Sequence, residues 1–355
     1  MKIPKSVQDM YRRRSRIMEE LIKKALEENG ATRRPFDAVP WKPDQPYAQP
    51  FFTHDRSKQA WTPANPKPLQ EGGSGSGINR LRLYSWNIDF MLPFAKARMS
   101  AALDHLNGLT SNLPSTTASV IFLQECIEED LETIGENEWV RDKFNVTDTD
   151  GSNWQTHYGT TTLVDRRLDI TACFRVHYAQ TQMGRDALVV ETALDAPGSG
   201  APKTLRLCNS HLESLARKPP LRPAQVRVLA AQMRAPGVHV ALAAGDFNAI
   251  QPFDRTLHAD NGLKDAYLEL GGREDSDAGY TWGQQAATKT RARFGCSRMD
   301  KVYFTGGLEV RGFERFGAGV QFSGERERRE MEELGFEKPW ITDHLGVVVE
   351  VEVVD

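Results

Sequence analysis

The sequence predicts an α/β domain over residues 78–355, and three observations carry that expectation. Short apolar or alternating runs recur there between turn-rich and helical stretches, as they do where strands and helices take turns along a chain. The composition, 39% hydrophobic and 26% charged over 355 residues, is that of a globular chain with enough apolar matter for a full-sized core. No internal repeat imposes a fixed period on the pattern.

Ahead of this domain, residues 1–30 read as an N-terminal helix. Val7, Met10, Met18, Leu21 and Ala25 recur at near-helical spacing over residues 6–29, and Gly30 closes the run. The basic cluster Arg12, Arg13, Arg14 and Arg16 reads as a solvated helix face rather than a phosphate or nuclear-import contact. Residues 31–77 follow as a strap and linker. Pro35, Pro40, Pro43, Pro46, Pro50, Pro63, Pro66 and Pro68 predict an extended strap, not a folded domain, with Trp41, Tyr47, Phe51, Phe52 and Trp61 available to anchor it. Gly72-Gly73-Ser74-Gly75-Ser76-Gly77 reads as a flexible linker.

Within the domain, the informative feature is what stands at the end of each strand-like run. Leu81 to Asp89 alternates at period two, placing Leu81, Leu83, Ser85 and Asn87 on one face with the amide at its end. Val120-Ile121-Phe122-Leu123 is continuously apolar, as in a strand covered on both faces, and ends in Gln124-Glu125, which puts Glu125 at a strand exit. Leu205, Leu207, Asn209 and His211 alternate along another strand that runs into Leu212-Glu213-Ser214. Val238 to Ala244 ends in Gly245-Asp246-Phe247-Asn248, where the glycine allows a sharp exit and two polar groups two apart can point the same way. Arg298 to Phe304 forms a fifth run, and Asp343-His344 opens a sixth over Leu345 to Val354. Residues 325–334, stopped by Gly335, read as a short, solvated, charged helix.

Taken singly, these polar residues have bland readings. Asp300 could pair with Arg298 or Lys301, His211 could be a satisfied core histidine, and Trp282 could fill a core corner as well as stack on a base. Together, Asn, Glu, Asp and His at strand ends converging on one rim suit a hard cation, Mg²⁺ or Mn²⁺, and the chemistry of phosphoryl-ester hydrolysis.

Bulk properties narrow the class further. A net charge of −3 and a pI near 6.3 argue against a basic nucleic-acid coat, so any polyanion contact must use local patches. No N-terminal apolar region and no run of about 18 to 20 apolar residues is present, so a soluble intracellular protein, nuclear or cytoplasmic, is expected. Cys126, Cys173, Cys208 and Cys296 are irregularly spaced without a CxxC pair, which argues against a zinc knuckle or a disulfide framework.

In order along the chain, Ser85-Trp86-Asn87-Ile88-Asp89, Leu123-Gln124-Glu125, Ser210-His211-Leu212-Glu213-Ser214, Gly245-Asp246-Phe247-Asn248, Arg298-Met299-Asp300 and Thr342-Asp343-His344 resemble the motifs of the endonuclease/exonuclease/phosphatase superfamily. Within it, Trp86-Asn87-Ile88-Asp89, His211-Leu212-Glu213-Ser214 and Tyr280-Thr281-Trp282 resemble the tyrosyl-DNA phosphodiesterase 2 branch. Two departures stand out: Ile250, followed by Gln251, stands where that branch carries an arginine two residues after Asn248, and Gly283 and Gln284 replace the polar pair expected after Trp282.

The resemblance, which runs from about residue 80 to the C-terminus, implies a four-layer α/β/β/α sandwich of two mixed sheets flanked by helices, with the site at one edge of the sheet pair. It implies a Mg²⁺-dependent phosphodiesterase, with Mn²⁺ an alternative, acting on DNA 5′ ends that carry a tyrosyl adduct. Glu125 would bind the ion, with Asn87 and Asp343 beside it. Asp246 would deprotonate the attacking water and Asn248 would orient it, while His344, kept cationic by Asp300, and His211 would stabilise the transition state. Arg185, Ser214 and Trp282 would meet the substrate, and Lys289, Arg291, Arg293, Arg217, Lys218 and Arg222 offer basic tracks for phosphates. An RNA deadenylase, an apurinic endonuclease and an inositol-phosphate phosphatase share the same scaffold, and a noncatalytic scaffold is the reading from another class.

Overall fold

The computed structural model describes residues 20, 23–25, 27–67, 77–195 and 202–354; the arginine cluster at 12–16 and linker residues 72–76 lie outside these. The strands, in chain order, are β1 Pro46–Ala48, β2 Phe51–Asp55, β3 Ala60–Ala64, β4 Arg80–Asn87, β5 Thr117–Cys126, β6 Phe144–Val146, β7 Gly159–Asp165 and β8 Ala172–His177. They continue with β9 Asp186–Leu194, β10 Lys203–Ser210, β11 Val240–Asp246, β12 Lys264–Asp265, β13 Asp300–Gly306, β14 Leu308–Phe316 and β15 Gly346–Val353. The helices that matter to the site are α1 Ala95–Thr110, α2 Glu128–Glu136, α3 Arg222–Met233, α4 Thr288–Phe294 and α5 Glu325–Leu334.

Two mixed sheets result, one ordered β1-β8-β9-β10-β11-β13-β12 and the other β14-β15-β4-β5-β7-β6-β2-β3. Each is antiparallel except for one central parallel pair, β10 with β11 and β4 with β5. Alternation along these strands divides the apolar residues among three cores. Leu81, Leu83, Val120, Phe122, Leu205, Leu207, Leu242, Val302 and Val349 pack between the sheets. On the far side of one sheet, Tyr84, Trp86, Ile121 and Leu123 meet Met99, Leu103 and Leu106 of α1, Leu131 and Ile134 of α2 and Met331 and Leu334 of α5. On the far side of the other, Val189, Cys208, Ala243 and Tyr303 meet Val226, Leu229 and Met233 of α3. Helix, sheet, sheet, helix is therefore the layer order, as the motifs imply.

The proline-rich strap is extended, as its composition predicts, but it does not stand apart from the domain. β1 adds to the first sheet beside β8, and β2 pairs with both β3 and β6 at the edge of the second. The boundary expected at residue 78 thus runs through both sheets. Pro46 and Pro63 are tolerated because β1 and β3 are edge strands, where a missing N–H costs no ladder bond. The N-terminal helix also runs past Gly30 to Thr32, where the Arg33 N–H still reaches the Asn29 carbonyl at 3.1 Å. Helix α5 ends at Gly335, whose φ of 93° is the left-handed turn that glycine supplies, but it is more than a solvated helix because it buries Met331 and Leu334.

Candidate active site

Between the sheets, each strand's inward face runs from apolar to polar toward one margin. On β4 the series is Leu81, Leu83, Ser85, Asn87; on β10 it is Leu205, Leu207, Asn209 and then His211; on β11 it is Val240, Leu242, Ala244, Asp246; on β13, read backwards, it is Phe304, Val302, Asp300. The change begins at Gln124, whose Nε2 donates to Ser85 Oγ at 3.1 Å and across the sheets to Asn209 Oδ1 at 2.9 Å. Beyond that bridge the sheets hold side chains that can do chemistry.

Glu125 sits at the exit of β5, which ends at Cys126, and there is a register shift against β7 between Leu123 and Cys126. By alternation Glu125 would face the outer core with Leu123. A bulge, with Glu125 at φ 59°, turns it back toward the site. Gly245 likewise does more than end a strand. Its φ is 152°, and a Cβ there would collide with the Ser210 carbonyl, so only glycine lets β11 run this close to β10.

Asp246 is the hub. Its Oδ2 accepts from Asn87 Nδ2 at 3.0 Å and lies 3.3 Å from His211 Nε2 and 3.7 Å from His344 Nε2. Its Oδ1 accepts from the Asn248 N–H at 2.8 Å, and Asn248 Nδ2 donates to Leu212 O at 3.1 Å. Burial pushes the Asp246 carboxyl up, but His344 and His211 beside it hold the group below its ordinary pKa.

The flanking histidines are set differently. His344 Nδ1 meets Asp300 Oδ2 at 2.8 Å, and although burial lowers an imidazole's pKa, Asp300 and Asp246 raise this one well above its ordinary value. The ring is a cation whose Nε2 lies 3.7 Å from both Asp246 Oδ2 and Asp343 Oδ1. His211 Nδ1 instead lies 2.7 Å from Arg185 Nη1. A guanidinium only donates, so Nδ1 must accept and the proton sits on Nε2. Burial and the Arg185 charge together keep this ring neutral.

A second group of acids lies beside the first. Glu125 is pushed up chiefly by burial, Asp343 likewise, and Asp89 to about 8 by burial and the neighbouring Asp343 charge. Buried carboxylates that repel one another, with oxygen donors and no thiolate, are what a hard divalent cation relieves. Glu125 Oε2 accepts from the Phe90 N–H at 3.2 Å and Asp343 Oδ2 from Trp282 Nε1 at 2.7 Å. Their other oxygens accept no hydrogen bond among the described residues, so the set fits a divalent ion. Asn87 Oδ1 already accepts from the Asp89 N–H at 2.9 Å. Ligand atoms within 4.8 Å of one another also occur in Glu125, His211 and Asp246 and in Asp246, Asp300 and His344.

Asn87, Glu125, His211, Asp246, Asn248, Asp300, Asp343 and His344 are thus brought to this margin. Arg185 Nη2 donates to Ser214 Oγ at 3.0 Å, joining the substrate candidates to His211. Asp300 pairs with His344, while Arg298 bonds Asp265 and Glu274, and Lys301 bonds Glu274. Arg222 is no phosphate track: it is 2% exposed and its guanidinium clasps Asp254 at 2.7 and 2.8 Å. Lys289, Arg291 and Arg293 lie on helix α4. Sequence reasoning passed over Asp89, whose left-handed φ of 58° is one that aspartate tolerates after a strand. It also missed Tyr158, whose ring stacks on Phe90 at 4.1 Å and lies 5.2 Å from the Arg185 guanidinium; no motif surrounds it.

The sequence model of the Endonuclease/Exonuclease/phosphatase family matches residues 84–344. Comparison with curated proteins finds no match. Among solved structures, truncated Caenorhabditis elegans TDP2 superposes with a TM-score of 0.56 at 22% identity, covering 77% of this chain and 98% of that one. D. rerio TDP2 complexed with single strand DNA product gives 0.56 at 19% identity over 77% and 99% of the two chains. A mannosyl-6-phosphatase of Bacteroides thetaiotaomicron gives 0.53 at 14% over 76% and 99%. At these identities the likeness establishes the fold, which both phosphodiesterases and phosphatases use.

Proposed function

The chain belongs to the endonuclease/exonuclease/phosphatase family, and from that premise we propose that it is a Mg²⁺-dependent phosphodiesterase hydrolysing the phosphotyrosyl bond at a DNA 5′ end. The observation that carries the reading is the convergence of Asn87, His211 and His344 within 3.7 Å of one ionised carboxylate oxygen of Asp246. That TDP2 structures, one with a DNA product, share the fold supports the substrate class.

A divalent ion held by Glu125 and Asp343 would supply Lewis acidity toward a phosphate oxygen and lower the pKa of nearby water. Asp246, kept ionised, accepts the proton of the attacking water, and Asn248 and Asn87 hold that carboxylate in place. As the water oxygen bonds to phosphorus, the phosphorus–oxygen bond to the tyrosine breaks and the phenolate takes the electron pair. His344 Nε2–H and the Arg185 guanidinium face the charge that grows on the phosphate oxygens. A phenol of pKa about 10 leaves far more readily than a sugar hydroxyl, so no strong proton donor is needed on the leaving side.

The experiment is a substrate panel run with and without Mg²⁺: a 5′-phosphotyrosyl oligonucleotide, poly(A), an abasic duplex, a phosphoinositide and a sugar 6-phosphate. The phosphotyrosyl oligonucleotide should turn over fastest, and only with the metal. Faster hydrolysis of any other member would reassign the substrate.

A further inference from the structure

The end of the N-terminal helix and the residues just after it reach the rim of the site, although no motif covers them. Thr32 Oγ1 bonds His157 Nδ1 at 2.9 Å. The Arg34 N–H donates to Gln155 O at 2.8 Å, Gln155 Nε2 donates back to Arg34 O at 3.1 Å, and the Arg34 guanidinium donates to Ser152 O at 2.9 Å and Gly151 O at 3.2 Å. Arg33 Nη1 reaches over to Gln182 O at 3.4 Å. Three consecutive residues thereby tie together two loops that the chain supplies from different places, residues 147–158 before β7 and residues 178–185 before β9.

Those loops hold Tyr158 and Arg185. His157 packs edge-on against Phe90, Phe90 stacks on Tyr158, and the Tyr158 ring lies under the Arg185 guanidinium. The second loop is fixed from the other side by Glu213, which accepts from Thr181 Oγ1 at 2.7 Å and the Gln182 N–H at 3.1 Å. Gly184, at φ 69°, fits tightly against Thr156, so the loops touch directly. Loop residues gain little rigidity from their own backbone, and ring stacking transmits position only if the loop that carries it is held.

We propose that residues 32–34 are a positioning element for Arg185 and Tyr158, setting where the phosphate is gripped; the inference rests on the phosphodiester reading of the site. None of the three touches the reacting atoms, so their effect passes through the two loops and falls on substrate binding rather than on the proton transfer at Asp246.

The test uses the full chain with Arg34→Ala, Arg34→Lys and Thr32→Val, on whichever panel substrate the wild type hydrolyses. Arg34→Ala should raise KM about 3- to 10-fold with kcat within about 2-fold, because a displaced clamp weakens binding before it changes chemistry. Inorganic phosphate binding, followed by calorimetry with Mg²⁺ present, should weaken in parallel while Mg²⁺ affinity and the thermal midpoint stay as in the wild type. Arg34→Lys should recover most of the loss, since a lysine can still donate to the carbonyls of Gly151 and Ser152. In an Arg185→Ala background the further effect of Arg34→Ala should vanish, as coupled residues require. Thr32→Val should shift KM the same way by less, which keeps the idea testable if Arg34→Ala folds poorly. Wild-type KM and phosphate affinity in both Arg34→Ala and Thr32→Val, or an undiminished Arg34→Ala effect without Arg185, would overturn the proposal. Failure of the wild type on every panel substrate would instead remove the functional reading, and phosphate binding would still decide whether the brace acts on Arg185.

Discussion

His211 and His344 flank the same carboxylate, are both almost fully buried and both turn Nε2 toward Asp246, yet one is neutral and the other a cation. The difference lies in what each Nδ1 touches. Arg185 can only donate, so it forces His211 into the neutral tautomer and keeps the positive charge for itself, whereas Asp300 accepts a hydrogen bond from the His344 Nδ1–H and balances the ring's charge with one of opposite sign. On the Arg185 side the positive charge therefore sits on the guanidinium, a group suited to gripping an anion. The Asp300 side is a neutral ion pair that polarises without adding net charge. Identical side chains are made into different tools by one neighbour each.

Removing what both sides share should have the largest effect. Asp246→Asn preserves shape but abolishes the base that takes the proton, and kcat on the phosphotyrosyl substrate should fall about 10³-fold, within the range general-base removal produces. Activity close to wild type would mean that neither histidine is arranged around a catalytic base.

Next in size is the loss of the ion pair on one side alone. Asp300→Asn removes a main cause of the raised His344 pKa, leaving only Asp246 and Asp343 to offset burial, which lowers it. The cation is present below the pKa and lost above it, so the basic limb of the kcat–pH profile should move to lower pH. At pH about 8 the loss should reach roughly 10²-fold, as for removal of one charge-stabilising donor, and it should shrink in acid. The same relation holds for stability, since a raised histidine pKa stabilises the fold below the unfolded value and stops doing so as pH climbs through the folded one. An unmoved basic limb would show that Asp300 only packs against the ring.

The two sides were not equally legible. The polar ends of β4, β10, β11 and β13 can be read from period two alone, because alternation fixes which side chains share the inter-sheet face whatever the sheets do next. The place of Glu125 at the end of its strand could be read, but not its direction: a bulge opposite β7 turns it inward, and bulges leave little trace in one strand's sequence. Arg222 looked like the other basic residues nearby, and only its partner Asp254, far along the chain, takes it out of play. Strap strands β1 and β3 were hidden because their prolines disguise edge strands as irregular chain. His211 could be named from sequence, but its charge state could not, since Arg185 lies on a loop whose placement is a tertiary fact.

The smallest effect concerns the acids beside the histidine pair, where no arginine or imidazole supplies full compensation. Asp89 has a folded pKa of about 8 against an ordinary 3.8, so between those values the folded state keeps a proton that the unfolded chain has released. Stability of the metal-free protein should therefore decline as pH rises from about 4 to about 8. Asp89→Asn should flatten that slope, matching the wild type in acid and melting a few degrees higher near pH 8, as scanning calorimetry in a chelator would read. Saturating Mg²⁺ should narrow or reverse the gap, because a divalent ion relieves the repulsion that the amide removes. A metal-free wild type that gained stability over this window would mean that these carboxylates are already neutralised by their neighbours, and the case for a cation between them would fall with it.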